Sequence, residues 1–322
     1  MGIAVEPQDA FVAQRKERWH ELDMLLMRGK ELHRADGETI ARVAALYRSL
    51  CSDLMRSRAA GYTPDLTGYL NGLTSRAHNA LYGARPVRLP ALWRLLIADF
   101  PRALRDNGRL FWLAAALFFV PAALGLGGAL ASPEFASEVL PGPILQQMAE
   151  NYAEGFHEGR QGGLDTMMAG FYVYNNVGIA FRCFATGILF GAGSLFFLVY
   201  NGLIIGTVVG YVIHVGHGAN ILTFVCGHGP FELTAIVISG GAGLQMGFSL
   251  VNTEGRTRLG SLRAKAPDIA RQVVGAAVML LIAAGIEAFW SPSSVPRIVK
   301  WIVAGVLMLF VTLWLSLGGR RR

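Results

Sequence analysis

Charge is what this sequence is short of. Asp, Glu, Lys and Arg make up 16% of its 322 residues, where soluble globular domains carry about a quarter. That shortage excludes an ordinary soluble domain as the whole of the chain. Cysteine is scarce as well: Cys51, Cys183 and Cys226 stand far apart with no C-x-x-C pair, which excludes a disulfide or zinc framework. The first hundred residues hold no apolar run of the kind a secretory signal peptide needs, so the first hydrophobic span is expected to act as an internal signal-anchor. The sequence has no phosphate-cradling G-x-x-x-x-G-K-[ST] loop and no ordered dinucleotide fingerprint, and Ser194 and Ser239 have no base and acid beside them. No catalytic set assembles, so neither enzyme activity nor a cofactor is expected. No nucleic-acid-binding motif occurs, and residues 1–109 set 12 acidic side chains against 17 basic ones, so nucleic acid is not an expected partner.

What is present is apolar. Hydrophobic residues make up 53% of the chain and gather in long runs after position 109, a membrane signature. The expected fold is all-α: a polytopic membrane domain over residues 110–317, behind an amino-terminal helical domain. Six spans are expected, at about 110–131, 171–190, 195–216, 230–251, 269–290 and 297–317, each near the ~20 residues a helix needs to cross the hydrocarbon core. The long run over 171–216 must break near Gly191-Ala192-Gly193-Ser194 to make a tight helical hairpin. An extracytoplasmic segment is expected over 132–170, and residues 318–322 form a basic tail.

Residues 1–88 predict a helical bundle. Asp36 caps a helix running to about Ala60, with Ile40, Val43, Ala44, Tyr47, Leu50, Cys51 and Leu54 at helical spacing. Thr63-Pro64 starts a second, carrying Leu66, Tyr69, Leu70, Leu73, Ala77 and Leu81 and ending near Gly83. An earlier helix holds Phe11, Trp19, Leu22 and Leu26 on one side. Residues 89–109, where Leu92, Trp93, Leu96, Phe100 and Leu104 alternate with Arg94, Arg102 and Arg105, predict an amphipathic helix on the membrane surface.

Orientation follows from the basic residues. Residues 1–109 hold 17 of the 29 Lys and Arg. Arg256, Arg258, Arg263 and Lys265 lie near 252–268, and Arg320, Arg321 and Arg322 end the chain. Segment 132–170 has only Arg160, against Glu134, Glu138, Glu150, Glu154, Glu158 and Asp165. The positive-inside rule then puts both termini and the basic loop in the cytoplasm. The basic cluster also suits anionic headgroups of the bilayer.

Glycines recur at helical spacing: Gly187 with Gly191; Gly202, Gly206 and Gly210 in series; Gly243 with Gly247. Small residues on one face let helices approach closely, either within one protomer or in a homo-oligomer. Polar residues inside spans need partners. Here they are Asn175, Asn176, Arg182, Asn201, His228, Glu232, Gln245 and Glu287. Arg182 and Glu232 are the natural ion pair, expected at similar depth toward the outer leaflet. The set serves either as clasps between helices or as the lining of a polar cavity for an ion, proton or small solute. No metal site is expected. The nearest approach to one is His214 with His217 at i, i+3, and His228 with Glu232 at i, i+4.

The order of these pieces resembles the stage II sporulation protein M family. The match runs through Asn175-Asn176, Phe184 with Gly187, Asn201-Gly202 with Gly206, and Gly227-His228-Gly229-Pro230-Phe231-Glu232-Leu233 followed by Ala235 and Gly243. Trp19, Leu46-Tyr47-Arg48, Asp53-Leu54, Tyr69-Leu70-Asn71 and Arg76-Ala77-His78 resemble its longer, non-sporulation members. The resemblance implies a multi-helix inner-membrane protein, and for the namesake a scaffold that gathers envelope partners. Two functions therefore stand as expectations. One is a non-enzymatic scaffold for membrane or envelope proteins, docked through the amino-terminal bundle and a stripe of Ile144, Leu145, Met148, Tyr152 and Phe156. The other is a transporter or channel built on the Asn, Arg, His and Glu constellation.

Overall fold

The computed structural model describes residues 6–27, 36–82, 89–154 and 164–320. Phe156, Glu158, Arg160, Arg321, Arg322, the expected helix end at Gly83 and the side chain of Asp165 lie outside the described residues. Every regular element among the described residues is helical. The chain divides into two separately packed units, residues 1–87 and 88–322.

The first unit holds α1 (Gln8–Met27), α2 (Gly37–Ala59) and α3 (Pro64–Tyr82). They share a core of Phe11, Trp19, Leu22, Val43, Leu46, Leu50, Leu54, Leu70, Leu73 and Ala77. Leu46 takes the inward place on α2, while Ile40 and Tyr69, expected inside, are exposed. The core also contains a charged lock. Asp53 is buried between the Nε of Arg15 at 3.1 Å and the Nε1 of Trp19, which donates to it at 2.9 Å. The Arg15 guanidinium also stacks 4.2 Å from the Phe11 ring. At the surface, the Thr39 N–H donates to Asp36 at 2.8 Å and caps α2. Arg42 donates to both carboxylate oxygens of Glu21, at 2.7 and 2.6 Å.

The second unit opens with α4 (Leu89–Arg94), a π-helical turn and α5 (Phe100–Asp106). The second half of this stretch packs inward, while Trp93 and Ile97 in the first half stay exposed. Phe100 and Leu104 are buried, with the Phe100 ring against Gly275 and 5.5 Å from Trp314. Arg105 donates to the carbonyls of Leu315 and Gly318 at 2.7 and 2.5 Å, tying α5 to the end of the last helix. Burial, and then the nearby Arg320, pull the Arg105 pKa below its ordinary value.

The apolar helices follow: α6 (Gly108–Ala131), then short α7 (Pro133–Val139) and α8 (Gly142–Asn151), α9 (Leu164–Ala185), α10 (Ala192–Val212), α11 (Gly218–Val251), α12 (Arg258–Gly285) and α13 (Arg297–Leu317). Among the described residues four helical stretches are long and apolar enough to cross a membrane: Gly108–Ala131, Ala192–Val251, Arg258–Trp290 and Arg297–Leu317. The second has 60 residues, about 90 Å at 1.5 Å per residue. It bends at Gly216, whose φ of 98° is not helical, into α10 and α11. α9 falls outside these four stretches. α6 and α13 turn large apolar side chains outward, including Trp112, Leu124, Ile298 and Phe310, which suits contact with lipid.

Several expected boundaries move. α11 begins at Gly218 rather than 230, and Pro230 lies inside it, so Gly227–Pro230 is helical and not a separate segment. α12 begins at Arg258, so Arg258, Arg263 and Lys265 ride on a helix rather than a loop. The 132–170 stripe is partly consumed: Leu145 packs under Ala129 and Ala136, and Tyr152 packs 5.7 Å from Phe224. The hairpin break falls where a left-handed residue permits it, at Gly191 with φ 87°.

Two glycine interlocks hold the second unit together. A Cβ on Gly202 or Gly206 would overlap the backbone of Phe118 or Ala122 on α6, and one on Gly210 would come within 2.6 Å of the Leu126 carbonyl. Gly125 answers from α6, where a Cβ would stand 2.6 Å from the Leu203 carbonyl. In the second interlock Gly187 abuts Gly243, and Gly191 abuts Gly247. Between them α11 is buried on all sides from Ala235 to Gly247.

Three predictions follow from these contacts. Gly206→Leu should lower the stability of the detergent-solubilised protein by about 1–3 kcal/mol or more through overpacking. Gly305→Ala, whose added Cβ meets nothing within 4 Å, should stay within about 0.5 kcal/mol; thermal melts compare the two. Asp53→Ala strips the buried Trp19 Nε1 of its acceptor and leaves Arg15 with only Glu6 and the Phe11 carbonyl, and should cost about 1–3 kcal/mol, read as amide protection lost in α1–α3. The third concerns pH. Hydrogen bonding from Thr39 and from Arg42 holds the Asp36 and Glu21 carboxyls below their usual values. Their contribution is complete above the unfolded carboxylate range and fades as pH falls through the lowered folded values. Protection factors in α1 and α2 should thus be flat from neutral pH to about 5 and fall below about 4.

Candidate functional site

Burial inside the second unit concentrates on α11, and so do its polar exceptions. A helix without a polar face needs cover all round, and the small run Gly240-Gly241-Ala242-Gly243 lets its neighbours come close. One turn before the fully buried stretch, His228 and Glu232 project from the same side at i, i+4. The His228 Nε2 lies 3.8 Å from the Glu232 Oε2, and the other ring nitrogen, Nδ1, lies 3.1 Å from the Ser291 Oγ. The imidazole also meets the Phe224 ring edge-on, with centroids 5.4 Å apart.

Two other helices complete the cluster. α12 ends in a π-helical turn, Ile286–Trp290, that carries Glu287. Such turns often occur at functional sites. From α9, Asn176 donates to the Glu287 Oε2 at 3.1 Å, and Asn175 donates to the Asn176 Oδ1 at 3.0 Å. His228, Glu232 and Glu287 each offer one ligand atom, and these atoms all lie within 4.8 Å of one another. The Glu232 Oε2 is buried and makes no hydrogen bond among the described residues. Lys300 stands beside the cluster, buried, and donates at 2.7 Å to each of the Ser291 and Ser293 carbonyls. A cavity of about 140 Å³ opens next to it, lined by Asn220, Thr223, Phe224, Ser291, Arg297 and Lys300. At the opposite end of α11 a cavity of about 580 Å³ reaches Gln245 between Arg105, Arg109, Glu254 and Lys265. There the Gln272 Nε2 donates to the Gln245 Oε1 at 2.7 Å.

The structure sorts the residues singled out by sequence. His228, Glu232, Glu287 and Asn176 come together, with Asn175 attached. Arg182 does not join them, and the expected Arg182–Glu232 ion pair is not formed. Arg182 is exposed on the last turn of α9, six residues past Asn176, about 9 Å further along the axis. α9 begins seven residues earlier than expected, and that shift separates the two depths. Asn201 donates to the Phe197 carbonyl of its own helix at 2.7 Å. His214 is exposed, with its Nδ1 3.0 Å from the Leu130 carbonyl, and neither it nor His217 belongs to the ligand-bearing group. The motif glycines, Gly187, Gly191, Gly202, Gly206, Gly210, Gly243 and Gly247, serve the two interlocks. Ser291 and Lys300 were missed: a serine or lysine at a helix end gives no signal of what it will meet.

Intramembrane ionisable groups cost free energy and mark function by default. This set can hold a cation or a proton between two carboxylates and an imidazole. Removing a partner from a buried carboxylate costs about 1–3 kcal/mol, so Asn176→Leu should lower the melting temperature of the solubilised protein clearly. Arg182→Gln should change stability by no more than about 0.5 kcal/mol. A large loss from Arg182→Gln would show that it has a buried partner after all.

Comparison with known proteins matches residues 9–83 to a domain of unknown function, DUF8413. No curated protein and no solved structure matches. Residues 110–292 match the family described as Stage II sporulation protein M. That match spans more than half of the 322 residues and takes in both glycine interlocks and the whole of the His228–Glu232–Glu287 cluster, and the chain belongs to the Stage II sporulation protein M family.

Proposed function

We propose that this protein is a non-enzymatic scaffold of the bacterial inner membrane that holds other membrane or envelope proteins in place. α6, α9, α10, α11, α12 and α13 make six crossings in this reading, with both termini in the cytoplasm. The distribution of Lys and Arg supports that orientation. The observation that carries the proposal is the pairing of a membrane unit locked by backbone contact with a separately packed helical unit. The locked unit suits a fixed platform. The helical unit leaves Met24, Met27, Ile40, Met55, Tyr69 and Tyr82 exposed, apolar surface of the kind that docks partners. The motif glycines face helices of the same chain, which weakens the case for a homo-oligomer built on them.

A second reading, transport of an ion or small solute, is favoured by one observation: the buried His228–Glu232–Glu287 cluster lies beside a polar cavity. Capture of the tagged protein from its native membrane in mild detergent, followed by mass spectrometry, separates the two. The scaffold reading predicts a partner near unit ratio that is lost when residues 1–88 are deleted. Self-association alone, with ion flux in vesicles that Glu232→Gln abolishes, would replace it with transport.

A further inference from the structure

We propose that His228, Glu232 and Glu287 form a binding site for one divalent transition-metal ion, of the zinc, manganese or cobalt class, within the membrane unit. The inference is independent of the docking reading, since a metal could brace a scaffold or be carried by a transporter.

Geometry is the first support. Three donors bound to one ion at about 2.1 Å stand roughly 3–4 Å apart. The three ligand atoms here lie within 4.8 Å of one another before any ion draws them in. Rotation of two glutamate side chains covers the difference. The donor types are the second. One imidazole nitrogen with two carboxylates suits borderline ions, whereas calcium and magnesium favour oxygen-only shells.

The supporting contacts match what metal ligands require. A ligating histidine is oriented by a hydrogen bond at its other nitrogen, and ligating carboxylates are themselves hydrogen-bonded. The Ser291 Oγ sits 3.1 Å from the Nδ1 of His228, leaving the Nε2 toward Glu232. Asn176 donates to the Glu287 Oε2 at 3.1 Å. The Glu232 Oε2 is then the acceptor without a donor, fully buried and aimed at the imidazole. A buried carboxylate oxygen in an apolar surround needs a proton or a cation. The nearest ammonium, that of Lys300, is engaged with the Ser291 and Ser293 carbonyls. A cavity of about 140 Å³ lies against Ser291, the neighbour of the His228 ring.

The test uses the full-length protein purified through a tag without histidine, stripped with chelator and placed in nanodiscs. Zinc and manganese are titrated by calorimetry, and cobalt by its visible absorption. The proposal expects one ion per chain and a cobalt spectrum of mixed nitrogen and oxygen ligation. Glu232→Gln and His228→Gln should each weaken binding at least tenfold, while His214→Gln leaves it unchanged. The unmodified protein alone can overturn the proposal: no saturable binding of any of the three ions would do so. Binding that survives Glu232→Gln combined with Glu287→Gln would also overturn it. A variant that fails to fold is recognised by its melt, and the decision then rests on the cobalt spectrum of the unmodified protein. Absence of metal would leave the partner-capture result untouched.

Discussion

The second unit depends on backbone meeting backbone. In lipid the hydrophobic effect gives helices no reason to associate, so close van der Waals approach must do it. Gly202, Gly206 and Gly210 bring α10 onto the carbonyls of α6, and Gly187 and Gly191 bring the α9 end and its turn onto Gly243 and Gly247. A side chain at any of these positions would hold the helices apart. The same closeness covers α11 on every side from Ala235 to Gly247.

The polar cluster follows from that enclosure. With α11 central, its neighbours α9 and α12 bring Asn176 and Glu287 to the level of His228 and Glu232, four side chains from three helices. The cost of burying two carboxylates is offset in part by Asn176, and the remaining demand for positive charge gives the cluster its chemistry. A rigid frame and a charged interior thus arise from one packing constraint. Docking and cation binding are compatible consequences of it.

The sequence exposes some of this plainly and hides the rest for physical reasons. Glycines at intervals of four announce a close helix contact, but not the helix they contact, because the partner contributes only backbone. The i, i+4 spacing of His228 and Glu232 is visible on any helix. Glu287 joins them through a π-helical turn that no periodicity signals. Arg182 looked like the partner of Glu232 because opposite charges were matched by assumed depth, and a seven-residue error in where α9 begins is enough to separate them. Pro230 looked like a helix start, but a proline within a buried membrane helix is tolerated where neighbours cover the freed backbone. The pairing of Asp53 with Arg15 is hidden because apolar periodicity does not register a charged pair in a core.

The most direct measurement is a double-mutant cycle on Asn176 and Glu287, two residues 111 positions apart in the chain that share one hydrogen bond. Asn176→Leu, Glu287→Leu and the double variant are melted beside the unmodified protein. The account predicts a coupling of about 0.5–3 kcal/mol, with the double variant recovering part of the loss of each single one. Strictly additive losses would place the two side chains apart and contradict the enclosure of α11 by α9 and α12.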